Sequence, residues 1–500
     1  MNNSINITLL GGVNEVGGNI VLLEDIGYDV KIIIDFGIKI REYQSFYNKK
    51  KSPSTIDELK KKNLIPDDDV LPIENLYTHL WSKIKIKSRN NQNKTETSID
   101  QLYPSNIDGI LISHAHKDHY FSLSFINRTI PIYTGIVTRK IIKAFYKTEK
   151  HKIDNNFRYL KWKTFRTGDV VDIKGLKIIP YHVDHSVPAA YGFIIYTSAG
   201  IVVYTGDFRM HGPLSIMTKE FLEEIKINNL IILTNILDER QKESISKGVK
   251  VLICEGTRIH KGIVESEEHV ENNLEKLFSN NPFDFILVKY NRTDWDRFRT
   301  FSHIAKKNGW KYIITEKDAY FYYLLNRYGI QRTMKDPNIL EDDHIYIMIK
   351  GDAKYFWQEK IRQVIYKNQK GHRFLKYSDL YDLGGKFLFY ITNLYRDLLK
   401  ALNFNKLGLF ISSNIDPYTE EFYDDTGTIR KKLEKYAIPC YRIHASGHAI
   451  AHDLINFITK VRPQHLIPIH TEHSRFFKKL FSKFGINVII CEKNQEICIN

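Results

Sequence analysis

The stretch Ser113-His114-Ala115-His116-Lys117-Asp118-His119 decides how this chain is interpreted. It ends the apolar run Ile107–Ser113, which predicts a β-strand, so the cluster lies where a loop can splay side chains around an ion. The His-x-His alternation places two imidazoles on one side of an extended backbone, and an Asp-His pair follows at the bend. Imidazole and carboxylate together suit Zn²⁺, with Mn²⁺ or Fe²⁺ as alternatives. The motif therefore predicts a metal site with room for a second ion.

Three further residues repeat the pattern of an apolar strand followed by a metal-binding side chain. His185 lies in YHVDHS, Asp207 in YTGDFR and His470 in LIPIHTE. They are needed because four residues cannot saturate two metal ions. A lone histidine at a strand end is more often structural than a ligand. Three such positions beside the first cluster reverse that expectation.

The charge balance favours an anionic partner. Lysine and arginine number 73 against 58 aspartate and glutamate residues, a formal net charge of +15. Such an excess attracts nucleic acid first, although a generic basic surface explains it equally well. The hydrophobic share of 43% excludes a disordered chain, and 500 residues predict two or more domains.

Cysteine usage and hydropathy predict a cytoplasmic protein without a membrane partner. The four cysteines are too few for a disulfide framework and form no Cys-x-x-Cys pair. The opening MNNSINITLLGG lacks the charged and apolar regions of a signal peptide. No apolar run reaches the roughly 18 residues that a membrane helix needs.

The pattern of predicted elements changes along the chain. The first part contains short strands separated by glycine turns, which is typical of a layered sheet. From about residue 259, strands alternate with helices, which indicates βαβ units over a parallel sheet. Residues 41–100 are rich in lysine, with runs at 49–51, 60–62 and 83–94. We interpret this segment as an insertion, most simply a solvated loop.

These motifs resemble those of the metallo-β-lactamase superfamily, and more narrowly its β-CASP nuclease branch of the ribonuclease J type. Leu10–Asn19 with Ile34–Gly37 is similar to the first hairpin of that family. Cys254–Thr257 resembles the acidic motif that opens the β-CASP domain, and Ala445–His448 and Pro468–His470 resemble its later histidine motifs. Lactamases and glyoxalases carry the first cluster but lack the inserted domain.

The resemblance implies an α/β fold in two domains. A metallo-β-lactamase αββα sandwich would comprise residues 1–258 and 441–500, with the basic insertion at about 41–100. An inserted β-CASP α/β domain would comprise residues 259–440.

The resemblance also implies the ligands of two Zn²⁺ ions, with Mn²⁺ as an alternative. One ion would be held by His114, His116 and His185, the other by Asp118, His119 and His470, with Asp207 bridging them. Asp118 is thereby a catalytic residue as well as a ligand. Two metal ions about 3.5–4 Å apart activate water and stabilise charge on a transferring phosphoryl group.

Two more catalytic residues are predicted beside the metal ions. His448 is the candidate general acid, because an imidazole titrates in the working range. Glu255 would hold the protonated His448 ring in place. The alternative for Glu255 is a carboxylate at a helix N-terminus.

A phosphate-binding region is predicted around the later histidine motif. Its first part, Ser446, Gly447 and His448, precedes the predicted helix Ala449–Lys460, whose first N–H groups could bind a phosphate. Family comparison adds Asn291, Ser412 and Ser413. For each, turn or cap chemistry is an equal alternative.

The implied activity is a zinc-dependent phosphodiesterase that cleaves RNA as a 5′-to-3′ exonuclease, an endonuclease or both. Its substrate would be single-stranded RNA, with a 5′-monophosphate sensed at the end. A nuclease for single-stranded DNA has the same metal motifs, while a small-molecule metallo-hydrolase and a non-catalytic scaffold are weaker alternatives. Phe121 and Thr471 stand where relatives carry glycine. Residues 471–500 are too few for the C-terminal dimerisation domain of ribonuclease J, so a homodimer is left open.

Overall fold

The computed structural model describes residues 3–47, 53, 55–68, 71–78, 103–148, 157–226, 237–245, 247–262, 265–279, 282–329, 336–368, 370–392, 396–402, 405–414 and 423–500. The lysine runs at 49–51 and 83–94 lie outside these residues. The chain divides into two compact units. The first comprises Met1–Ile142, Lys150–Ile263 and Gly447–Asn500, and the second Lys143–Glu149 and Val264–Ser446.

The elements follow one another along the chain with short connections around most strands. The strands are β1 (Ile5–Gly11), β2 (Ile20–Asp25), β3 (Val30–Ile34), β4 (Gly109–Ile112), β5 (Pro131–Gly135), β6 (Lys161–Phe165), β7 (Val171–Ile173), β8 (Leu176–Val183), β9 (Ala190–Tyr196), β10 (Ile201–Tyr204), β11 (Val249–Glu255), β12 (Phe285–Lys289), β13 (Lys311–Thr315), β14 (Ile345–Met348), β15 (Phe374–Leu375), β16 (Phe387–Tyr390), β17 (Gly408–Ser412), β18 (Cys440–Arg442), β19 (His465–Ile469), β20 (Asn487–Val488) and β21 (Glu496–Ile499).

Helices connect many of these strands. The α-helices are α1 (Ile40–Phe46), α2 (Ile56–Lys61), α3 (Lys117–Tyr120), α4 (Ile136–Thr148), α5 (Ser215–Ile225), α6 (Glu239–Ile245), α7 (Glu267–Ser279), α8 (Trp295–Lys307), α9 (Glu316–Arg327), α10 (Phe356–Lys367), α11 (Arg396–Ala401), α12 (Tyr423–Glu434), α13 (Ala451–Val461) and α14 (Ser474–Phe481). Among the described residues, no helix is both long and apolar enough to cross a lipid bilayer.

The first unit contains two seven-stranded sheets. Their strand orders are β21-β1-β2-β3-β4-β5-β6 and β20-β19-β11-β10-β9-β8-β7. In each sheet, antiparallel hairpins form one part, and parallel strands joined by longer connections form the other. The carboxyl ends of the parallel strands β10, β11 and β19 therefore meet at one edge of the second sheet.

Apolar side chains of the two sheets share one core. Ile7 and Leu9 of β1 pack in the same buried cluster as Val202 of β10 and Ile467 of β19. Alternate residues of β10 face the other way, where Val203 joins a second cluster with α5, α13 and α14. Successive side chains of a strand point to opposite faces, so a strand buried on both faces is apolar throughout. The predicted α/β fold class is confirmed.

The described part of segment 41–100 is not only a solvated loop. Ile56 and Leu59 of α2 are buried, as are Tyr47, Leu64 and Tyr77 on either side of it. The hydroxyl of Tyr77 donates a hydrogen bond of 2.7 Å to the Pro66 carbonyl. Lys60 and Lys61 therefore stand on a short helix whose other face is packed, and Lys62 caps its end. The described part of the predicted insertion thus contains buried apolar residues as well as the solvated lysines.

The second unit contains one parallel seven-stranded sheet. Its strand order is β15-β14-β13-β16-β12-β17-β18. Strands β12 and β17 are neighbours, and the chain leaves them in opposite directions across the sheet, towards β13 and β18. In open parallel sheets, ligands bind beside the carboxyl ends of two such strands.

Candidate metal centre

The predicted metal-binding residues follow strand ends of both sheets in the first unit. His114 lies just beyond β4, His185 just beyond β8 and Asp207 just beyond β10, while His470 directly follows β19. All four side chains are at most 1% exposed. Chain segments that are distant in sequence are thus brought to one edge of the sandwich.

The first group of possible ligands consists of His114, His116, His185 and Asp207. The Nδ1 atom of His116 lies 3.2 Å from Nε2 of His114 and 3.0 Å from Nε2 of His185. The other ring nitrogens of His114 and His185 have separate partners. Nδ1 of His185 donates to the Gly447 carbonyl at 2.5 Å. Nδ1 of His114 lies 3.0 Å from Oγ of Ser113. The inward nitrogens of such rings carry lone pairs that a cation can accept.

The second group consists of Asp118, His119 and His470. The Oδ2 atom of Asp118 lies 3.2 Å from Nε2 of His470 and 3.7 Å from Nε2 of His119. Nε2 of His119 is buried without a hydrogen-bond partner among the described residues. A buried nitrogen in this state fits a metal ligand.

Asp207 joins the two groups. Its Oδ2 atom lies 3.1 Å from Nε2 of His119, 3.6 Å from Nε2 of His114 and 3.7 Å from Nε2 of His470. Its Oδ1 atom is buried and has no hydrogen-bond partner among the described residues. The structure thus brings all seven predicted ligands together, and their donor atoms fit a divalent metal site.

The imidazoles of the centre divide into two electrostatic classes. Burial lowers the pKa of His116 to about 4 and holds the pKa values of His114 and His185 well below the usual range. Burial acts the same way on His470, but Asp207 and Asp118 outweigh it and raise its pKa to about 9. Carboxylates that favour a proton there equally favour a metal ion, which would displace that proton.

His448 and Glu255 form a buried pair at the edge of the centre. Nδ1 of His448 lies 3.1 Å and 3.2 Å from the two carboxylate oxygens of Glu255, and 3.9 Å from Oδ2 of Asp207. Burial disfavours the charged ring, but Glu255 outweighs it and raises the pKa of His448. Glu255 itself is fixed by the backbone N–H groups of Phe208 and Thr257. The carboxylate ends strand β11, so it is not a helix N-terminal residue.

One carboxylate that the sequence interpretation did not single out orients both groups. Oδ2 of Asp35 accepts hydrogen bonds from Nδ1 of His119 at 2.7 Å, from the Ser113 hydroxyl at 2.8 Å and from the Tyr204 hydroxyl at 2.7 Å. Ser113 in turn contacts His114. Asp35 directly follows strand β3. The pattern of an apolar strand followed by a carboxylate or imidazole therefore also applies to it.

The remaining nitrogen of His470 has a similar support. Its Nδ1 atom lies 2.7 Å from Oγ1 of Thr257, and the same hydroxyl lies 3.1 Å from the His470 carbonyl. Thr257 follows β11, the strand beside β19. Supporting bonds of this kind fix the ring orientation and the tautomer of a ligand.

We expect Asp35→Asn to weaken metal binding by about 10- to 100-fold, because it removes the negative charge behind His119 and His114. Asn tolerates the left-handed backbone of this position, where φ is 56°. The measurement is competition for the metal with a chelator of known affinity. Asp25→Asn is the matched control, since Asp25 is also a buried carboxylate but binds Ser198 away from the seven ligands. Equal metal affinities of the two variants would contradict the orienting role.

The predicted phosphate-binding residues fall in both units. In the first unit, the Gly447 carbonyl holds His185, and a Cβ atom at Gly447 would lie 2.9 Å from the His185 ring. The helix predicted at Ala449 begins at Ala451, and the Ala449 and Ala451 N–H groups already donate to Phe208 and Lys261. These two N–H groups are therefore not available to a phosphate.

The other predicted phosphate-binding residues belong to the second unit. Lys289 of β12 pairs with Ser412 of β17, so Asn291 and Ser413 stand just beyond neighbouring strand ends. The Oγ atom of Ser413 is buried without a hydrogen-bond partner among the described residues. Asn291 instead accepts from the Thr293 N–H and hydroxyl, as in a turn. Ser446 is the last residue of this unit.

Two family models match the chain. Residues 88–260 match a beta-lactamase superfamily domain. Residues 436–491 match a Zn-dependent metallo-hydrolase RNA specificity domain. The two matches include His114–His119, Asp207, Glu255, His448 and His470.

Three curated relatives of the chain are named ribonuclease J or ribonuclease J2. The chain is 23% identical to ribonuclease J of Sinorhizobium meliloti, over 73% of the chain and 58% of that relative. It is 21% identical to ribonuclease J2 of Bacillus subtilis and 24% identical to ribonuclease J of Mycoplasma pneumoniae, over 94% and 96% of the chain and 70% of each relative. The chain thus spans a little over half to about two-thirds of the length of these proteins.

A solved structure agrees in fold along the whole chain. It is a protein of unknown function from Enterococcus faecalis, with a TM-score of 0.68 and 20% identity. The match covers 99% of this chain and 100% of the other.

Proposed function

Because this chain is a ribonuclease J-like protein of the metallo-β-lactamase type, we propose that it hydrolyses phosphodiester bonds of RNA with two Zn²⁺ ions. The observation that carries this proposal is the position of Asp207, whose Oδ2 lies 3.1 Å from His119 of the second group and 3.6 Å from His114 of the first. A carboxylate between two sets of imidazoles suits a bridged pair of metal ions. Mn²⁺ fits the same donors.

The proposed ligands keep the division of the two groups. His114, His116 and His185 would hold one ion and Asp118, His119 and His470 the other, with Asp207 placed between the two groups. Ions bound there would supply an activated water and neutralise charge on the phosphate. Asp118 and His116 are partly exposed, unlike the other five proposed ligands, so these two stand where the centre opens to solvent.

The chain's own residues supply the proton for the leaving group. His448, held by Glu255, donates from its Nε2 atom to the departing sugar oxygen, which otherwise leaves as a costly alkoxide. Glu255 stabilises the charged ring before the transfer and is itself held by two backbone N–H groups. Glu255 keeps its place beside the ring throughout, and the only proton that moves is the one from Nε2 of His448 to the leaving oxygen.

Phosphate contacts are proposed within each unit separately. In the second unit, Ser413 supports this, because its buried hydroxyl lacks a partner among the described residues and stands where parallel-sheet proteins bind ligands. Ser412 and Asn291 flank it, and Ser446 is the last residue of that unit. In the first unit, Gly447 and His448 are the proposed phosphate contacts. The substrate is single-stranded RNA, and a 5′-monophosphate is the group these residues would sense.

The decisive experiment incubates metal-loaded protein with end-labelled substrates. These are 5′-phosphorylated RNA, 5′-hydroxyl RNA and single-stranded DNA of one sequence, each with wild type and Asp118→Ala. We expect metal-dependent cleavage of RNA by wild type only, with the 5′-phosphate faster. Cleavage of DNA alone would replace RNA by DNA as the substrate. Absence of metal-dependent cleavage in all three would reject the nuclease proposal.

The proposal places the protein in a reducing, cytoplasmic compartment. Its four cysteines are free thiols, and Cys254 and Cys491 are buried. A homodimer stays a prediction, which light scattering on the purified protein would check.

A further inference from the structure

The first unit carries a group of aromatic and basic side chains beyond the seven ligands. It begins in the loops that follow β11 and β19 and continues along α14. We define the aromatic–basic surface as His260, His473, Arg475, Phe476, Lys479 and Lys483.

The rings of this surface form a row. The His260 and His473 ring centroids are 4.2 Å apart, and those of His473 and Phe476 are 5.5 Å apart with near edge-on geometry. Phe476 is 52% exposed, although most large aromatic side chains of this unit are buried. An exposed aromatic ring offers a free face, which is the feature a nucleobase stacks on.

The cations lie on the same side of α14 as Phe476. The helix buries Ser474, Phe477 and Phe481, so its other side faces solvent. Lys479 follows Phe476 by three residues, which is the spacing of neighbours on one helix face. Lys483 lies in the 3₁₀ turn Ser482–Phe484 that follows α14.

The helix itself carries no negative charge, and the exposed Glu472 lies two residues before its start. The sequence of α14, SRFFKKLF, has no acidic residue. Within the described residues, Arg475, Lys479 and Lys483 have no carboxylate partner. The surface therefore presents unneutralised positive charge beside exposed rings, as surfaces that bind single-stranded nucleic acid do.

The surface follows one candidate ligand closely along the chain. Thr257 and His470 share a buried contact of 2.7 Å. His260 and His473 follow them by three residues in the same two loops and again meet each other. The rings therefore stand in the loops that hold His470 and its partner Thr257.

We propose that the aromatic–basic surface binds single-stranded nucleic acid. Bases stack on Phe476 and His473, and backbone phosphates meet Arg475, Lys479 and Lys483. The inference rests on the proposed RNA hydrolysis and adds the path of the strand outside the reacting bond. A lipid surface fits less well, because the apolar face of α14 is already packed in the core and is not free to enter a bilayer.

The test measures binding without cleavage. Fluorescence anisotropy follows a labelled ten-nucleotide RNA binding to the Asp118→Ala protein, which serves as parent for every variant. We expect Phe476→Ala to raise Kd about tenfold and Phe476→Leu to do the same, because leucine keeps apolar area but has no π face. Phe476→Trp should bind like the parent. Phe356→Ala is the matched control, since Phe356 is an exposed phenylalanine on a helix of the second unit.

The cations are tested through salt. The double variant Lys479→Ala, Lys483→Ala should reduce the slope of log Kd against log salt concentration by about one to two. With fewer phosphate contacts, binding of RNA releases fewer counterions. Binding of the same variants to anionic phosphatidylserine vesicles is measured for comparison.

Each outcome decides one of the two proposals. Phe476→Ala and the lysine variants binding RNA within twofold of the parent would overturn the surface, even if wild type cleaves RNA. If these variants lost binding to the vesicles but bound RNA as the parent does, the proposal would be overturned, because the surface would then bind lipid. If RNA binding depended on Phe476 but wild type cleaved no substrate, the proposed binding surface would stand and the proposed nuclease activity would be rejected.

Discussion

Asp207→Asn should reduce RNA hydrolysis by about 10⁴-fold or more and remove bound metal. The carboxylate lies within 3.1–3.9 Å of nitrogens from five imidazole rings, so its charge is shared by every part of the centre. Asparagine keeps the shape but cannot bridge two ions with an anionic group, and residues that act as one unit fail together. Metal content by mass spectrometry and single-turnover cleavage are the measurements.

Thermal unfolding with and without metal separates this effect from misfolding. A ligand that binds only the folded state raises Tm, so wild type should show a metal-dependent shift that Asp207→Asn lacks. Asp25→Asn should lower Tm but keep the shift, because its partners are Ser198 groups outside the ligand set. Asp207→Asn with a normal shift and activity within tenfold of wild type would exclude the bridging role.

His448→Ala should keep its metal but lose about 10²- to 10⁴-fold in RNA cleavage, the usual contribution of a general acid. The same variant should lose far less on a 4-nitrophenyl phosphodiester, because 4-nitrophenolate leaves without needing a proton. His211→Ala is the matched control, a histidine that contacts Asp453 rather than the seven ligands. Equal losses on both substrates would show that His448 positions substrate instead of donating a proton.

Glu255 gives an independent check of the same pair. Glu255→Gln alone should slow RNA cleavage, since it removes the charge that favours the protonated His448 ring. Added to His448→Ala it should cost little more, because the two residues act through one proton. An additive loss would point to the backbone contacts of Glu255 with Phe208 and Thr257 as its main function.

Several strand boundaries were the most predictable features of this protein. The strands expected at Ile201–Tyr204 and His465–Ile469 occur at those residues. Ile201–Tyr204 and Leu466–Ile469 are apolar and buried, which is typical of a strand buried on both faces. Asp207 and His470 follow these runs closely, and they were selected as ligands because they accompany the cluster His114–His119.

Contacts between distant segments could not be predicted in this way. Asp35 and His119 meet across 84 positions of sequence, and nothing local at either residue indicates the other. Asp35 and His470 both have positive φ values, 56° and 55°, which surrounding contacts must stabilise. The helix expected at Ala449 starts at Ala451, because the Ala449 N–H is drawn to Phe208 instead.

The pairing of Asp118 with His470 also sets an order for biosynthesis. The two residues are 352 positions apart, and the main part of the second unit, Val264–Ser446, lies between Glu255 and His448. On the ribosome, the four members of the first group are made by residue 207, but His448 and His470 follow only after the second unit has been synthesised. Under the proposed function, a chain on a translating ribosome would hold the first group of candidate ligands before it has the candidate general acid His448.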